Sequence, residues 1–114
     1  ESSKEFASLK EKEAPTEIKS LKITARLLTE EDINRRQLPL DTTGVVITEI
    51  ASDSPVYNHL QVNDIIVELQ KTKINNLNQL KDILKKSFGK GEKTLLFATY
   101  NNQNVRRYLG IKLN

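Results

Sequence analysis

Ser54, His59 and Asp64 supply the residue types of a nucleophile, a base and an orienting carboxylate within one short stretch. A working triad needs nucleophile–base and base–orienter contacts beside an oxyanion site. Ser54 instead stands before Pro55, the pattern of a helix cap followed by its first residue, and His59 falls at a turn. The three are read as structural and the chain as noncatalytic. Glu30, Glu31 and Asp32 fit the first turn of a helix, where acids face unpaired N–H groups. Asp41, Glu49, Asp53, Asp64 and Glu68 lack the dense spacing of a metal loop. Gly89-Lys90-Gly91 lacks the full phosphate-loop pattern and its preceding strand, so it reads as a helix stop. There is no Cys, and His59 is the single His. Thiol catalysis, disulfides and His-rich metal clusters are therefore excluded, and no cofactor is expected.

The elements that position these residues belong to a chain of 114 residues, 29% charged and 37% hydrophobic, the size of one domain with tails. Eighteen Lys and Arg against fifteen Asp and Glu give a net charge of +3, which selects no partner strongly. No apolar run approaches the ~20 residues that cross a bilayer, and the first segment has no signal-peptide core. A targeting element of an exported parent would lie outside this sequence.

Residues 1–19 carry alternating Lys and Glu with scattered apolar side chains and read as a linker or flexible extension, leaving 20–114 as the domain. Leu21 to Leu28 mixes alternation with an apolar end, as in a half-buried strand. Thr29 and Asp32 form a pair like a capping box, opening a short helix anchored by Ile33 that ends before Pro39. Val45 to Ile50 is a β-branched run and the clearest strand. One or two helical turns are expected over 55–59, then a strand at Asp64 to Leu69 and a short extended piece at Lys73-Ile74. Asn76 caps a helix reaching about Ser87. Thr94 to Thr99 and Val105 to Leu113 close the chain as two strands joined by an Asn-rich loop. These elements predict a mainly β fold with short helices: a curved, partly open antiparallel sheet capped by two helices.

The segment from Thr43 to Ile74 (TGVVITEIASDSPVYNHLQVNDIIVELQKTKI) resembles the core of a PDZ domain. It has a Gly-led apolar strand, a Ser-Pro helix start and a turn ending in Asp64-Ile65-Ile66, followed by a helix containing Leu80-Lys81-Asp82-Ile83-Leu84. The resemblance covers residues 21–113 and is closest to the second PDZ domain of bacterial HtrA/Deg serine proteases, including their circularly permuted strand order. It implies binding of extended or C-terminal peptide segments by strand addition, in which the edge of a sheet pairs with the ligand and pockets read alternate side chains.

Carried onto this sequence, the resemblance puts Ser20-Leu21-Lys22-Ile23 at a carboxylate-binding loop and residues 23–27 at the pairing strand, including Thr24 and Ala25. Lys22 stands where the family has Gly. Leu77, Lys81 and Leu84 share a helix face that would border the groove, with Leu84 at the terminal side chain and Leu77 further along. Ordinary core is the competing reading of Leu84. His59, Asn63 and Gln70-Lys71 also replace turn residues common in the family. The parent implied is an oligomeric trypsin-like endopeptidase of protein quality control, periplasmic if bacterial. Its catalytic domain lies outside this sequence; the partners are peptides, unfolded segments, the protease domain and other PDZ domains. A module serving mainly assembly, with a weak groove, is the first alternative. Nucleic-acid binding is the second: residues 81–114 hold eight basic and two acidic side chains, but their aromatics form no stacking motif. No nucleic acid is expected as partner.

Overall fold

A computed structural model describes residues 15–112. Its strands are β1 (Thr16–Ile18), β2 (Ile23–Leu27), β3 (Val45–Ile50), β4 (Ile65–Leu69), β5 (Thr72–Lys73), β6 (Thr94–Tyr100) and β7 (Arg106–Lys112). The helices are α1 (Glu30–Arg36) and α2 (Leu77–Gly89). One antiparallel sheet runs in the order β1-β2-β3-β4-β6-β7, with β5 paired to β4. The expected mainly β sheet with two helices is the fold observed.

Strand alternation explains why the sheet is covered on both faces. On β3, Val45 and Ile47 join the larger core with Leu80 and Leu84 of α2, whereas Val46 joins a smaller cluster with Leu28, Ile33 and Leu38. Successive strand residues point to opposite faces, so a continuous β-branched run suits a strand buried on both sides. On β4 a register shift between Ile66 and Glu68 against β6 breaks the alternation, and Leu69 returns to the larger core.

Helix α1 begins as its sequence dictates. The Thr29 hydroxyl accepts the Asp32 N–H at 3.2 Å, and the Asp32 carboxylate accepts the Thr29 N–H at 2.9 Å, a reciprocal capping box. In α2, Asn76 Oδ1 accepts the Gln79 N–H at 2.7 Å, and Gly91 turns the chain beyond the helix with φ 74°.

Two expectations are corrected. Residues 16–18 are not linker, because Thr16–Ile18 pairs with β2 and Ile18 is buried in the larger core. Residues 55–59 form turns rather than a helix. A single Leu60 N–H to Val56 O bond of the helical type closes there, and burial of both Val56 and Leu60 anchors the segment as one compact turn. Among the described residues no helix is long and apolar enough to cross a membrane.

Candidate functional site

The turn from Lys19 to Lys22 joins β1 to β2 and is built from local hydrogen bonds. The Leu21 N–H donates to Ile18 O at 3.1 Å and the Lys22 N–H to Lys19 O at 3.3 Å. Lys22 lies in the left-handed region at φ 54°, so the glycine-like backbone survives a side chain that this region disfavours. Three contacts with the next loop hold it there. The Ala51 N–H donates to Lys22 O at 3.0 Å, Ser54 Oγ donates to Leu21 O at 2.5 Å, and Lys22 Nζ pairs with Asp53 at 2.8 Å. That ion pair holds the Asp53 carboxyl below its ordinary range. Ser54 Oγ also accepts the Val56 N–H at 3.1 Å, while Asp64 Oδ2 accepts the Gln61 N–H at 3.0 Å. Ser54 and Asp64 therefore anchor backbone, and His59 is exposed on its turn.

The edge of β2 away from β3 is occupied. β1 lies antiparallel along it, with Ile18 opposite Ile23, Glu17 opposite Thr24 and Thr16 opposite Ala25. The expected pairing strand thus offers no open edge over residues 23–25, because the chain's own preceding residues have taken it. Leu21, Ile23 and Ala25 are core side chains, while Thr24 is half-buried and its carbonyl accepts the Thr48 hydroxyl at 3.1 Å.

Helix α2 divides the expected groove face of Leu77, Lys81 and Leu84. Leu80, Leu84 and Ser87 share the buried side, with Leu77 and Ile83 half-buried against it. Leu84 is 1% exposed within the core, the competing reading of that residue, and Leu77 packs on the same core. Lys81 is exposed beside Lys85 and Phe88, and these three face Glu17, Ile18, Lys19 and Ser20 across a cleft of about 480 Å³. Of the expected site residues, Lys81 of the helix face and Ser20 of the loop line this cleft. Sequence reading missed Ile18, Lys85 and Phe88. The i, i+4, i+7 spacing of Lys81, Lys85 and Phe88 was available as a signal, but its mixed chemistry resembles an ordinary solvated face.

Chemically, the cleft joins a short edge strand, an exposed aromatic ring and three lysines facing one Glu. Such a surface suits an extended segment with apolar and acidic side chains. Among the described residues no three of His, Asp and Glu converge as a metal site would require.

Comparison with known proteins gives a consistent answer. The sequence matches the family model described as PDZ domain over residues 15–106. Among solved structures the fold is similar to the PDZ domain of EpsC from Vibrio cholerae, residues 219-305, with a TM-score of 0.53 at 14% identity. That match covers 86% of this chain and 100% of the other. No curated protein matches. With the family model spanning both helices and six of the seven strands in full, this chain belongs to the PDZ domain family.

Proposed function

We propose that this PDZ domain is a noncatalytic module that takes extended or C-terminal peptide segments by strand addition beside α2, and that it serves an HtrA/Deg-type serine endopeptidase. The observation that carries the binding half is the cleft where the edge of the sheet faces Lys81, Lys85 and Phe88. A sheet edge supplies main-chain hydrogen bonds, and the helix beside it supplies side-chain selection. The protease half rests on the resemblance of residues 21–113 alone. The same reading makes unfolded segments the cargo, makes the protease domain and sister PDZ domains the neighbours, and puts a bacterial parent in the periplasm.

The test is binding of a labelled free-carboxylate peptide library, with amidated copies and two groove variants as controls. Lys85→Glu and Phe88→Ala alter exposed cleft residues, whereas Leu84→Glu would place a charge in the core. Selective binding lost in both exposed variants supports the proposal; loss on amidation as well identifies end-on recognition. Binding indifferent to both variants refutes this cleft as the site.

A further inference from the structure

The peptide-binding reading requires a ligand that ends at the turn before β2 and so runs antiparallel to it. β1 already has that placement. It runs antiparallel to β2 on the edge opposite β3 and brings Ile18 level with Ile23, beside the turn. The Ile18 side chain is 2% exposed and belongs to the same buried cluster as Leu80 and Leu84 of α2. Its carbonyl accepts the Leu21 N–H at 3.1 Å, and the Lys22 N–H is used by Lys19 O. The turn N–H groups that would meet a ligand's terminal carboxylate are spent on the chain itself.

We infer that Thr16–Ile18 is an internal ligand, and that a peptide with an aliphatic last residue binds β2 by displacing it. The inference rests on the peptide-binding reading and adds its regulation. The strand is suited to release. It is three residues long, with Ile18 its one buried side chain, and its departure leaves the pairing of β2 with β3 intact. A site open only in a fraction of molecules binds with an affinity reduced by that fraction. Weakening the internal strand therefore strengthens binding in trans.

The experiment uses a fluorescein-labelled peptide ending in Pro-Thr-Glu-Ile with a free carboxylate, a copy of the internal segment. The full chain carries Glu17→Cys with Thr24→Cys, a cross-strand pair in a protein that has no other Cys. Antiparallel partners stand about 4.5–5.5 Å apart at Cα, within the ~4.4–6.8 Å range that a disulfide spans. Oxidation pins β1 in place and reduction frees it. The expected result is at least about tenfold weaker binding in the oxidised form, with Ile18→Ser tightening binding about tenfold over the parent chain. Equal affinity of oxidised and reduced forms overturns displacement and leaves the peptide adding to the outer edge of β1, with the binding reading intact. Absence of binding to both the reduced form and Ile18→Ser overturns the binding reading and this inference with it.

Discussion

Replacing Asp32 with Ala should cost the domain about 3 kcal/mol. The Asp32 carboxylate is buried and accepts from Arg26 Nη1 at 2.6 Å and Nη2 at 2.9 Å, from the Thr29 N–H and hydroxyl at 2.9 Å each, and from Arg35 at 2.7 Å. Arg26 lies on β2, so this carboxylate ties α1 to the strand beside the proposed site. Removing one member of a buried pair costs about 3–5 kcal/mol. With Arg26 26% exposed, the lower figure applies. Loss of the cap contact to Thr29 contributes about 1 kcal/mol within the same rearrangement, and the exposed Arg35 partner adds about 0–0.5 kcal/mol. In urea unfolding, an m-value of about 1.5 kcal/mol per molar converts 3 kcal/mol into a midpoint about 2 M lower. Asp32→Asn, which keeps an acceptor for Thr29, should lose less. The Arg26 hydrogen bond holds the Asp32 carboxyl well below its ordinary 3.8, against burial that pushes it up. A lowered folded-state pKa means that this stabilisation is full above 3.8 and fades as pH falls through the folded value. The difference between parent and Asp32→Asn should shrink accordingly on acidification. A loss below about 1 kcal/mol in Asp32→Ala at neutral pH would refute the reasoning, since breaking a buried pair cannot be that cheap.

Gly44→Ala should destabilise by about 2–4 kcal/mol in the same urea assay, through strain and overpacking together, because the added Cβ would run into the Ile66 carbonyl. An unchanged midpoint would mean that β3 and β4 separate freely there. Lys22→Gly should leave thermal stability equal or slightly higher, within about 1 kcal/mol, since relief of the left-handed side chain outweighs an exposed ion pair; a clear fall in Tm would contradict that. Gln70→Ala should lose about 1 kcal/mol, because Gln70 Oε1 accepts the Leu96 N–H at 2.8 Å and steadies a turn with two left-handed residues. Its hydrogen-exchange signature is faster exchange at Leu96.

What could be read from the sequence was local. The β-branched run at Val45, the Thr29–Asp32 box and the Asn76 cap each carry their signal within a few residues, and each forms as expected. What escaped depends on distant partners. Thr16–Ile18 is flanked by Pro15 and by Lys19 and reads as linker until the edge of β2 is there to pair with it. Ser54-Pro55 opens a turn or a helix equally well, and the choice fell to the burial of Val56 and Leu60. Arg36 gives no motif, yet its guanidinium donates to Asn63 O at 2.8 Å and Asn101 O at 2.6 Å, binding α1 to two loops. At the site, helical spacing placed Leu77, Lys81 and Leu84 near one another but could not say which would be covered. The sheet buried Leu84 and left Lys81 on the cleft.

The most direct measurement for the binding claim is a residue-resolved amide titration of the full chain with a free-carboxylate peptide selected from the library. The account predicts shifts concentrated at Ile18–Leu27, the turn and β2 that a displacing peptide would meet, and at Lys81–Phe88 of α2. Saturating peptide that leaves these amides unmoved, or that moves instead the outer face around Leu96 and Tyr108, would contradict it.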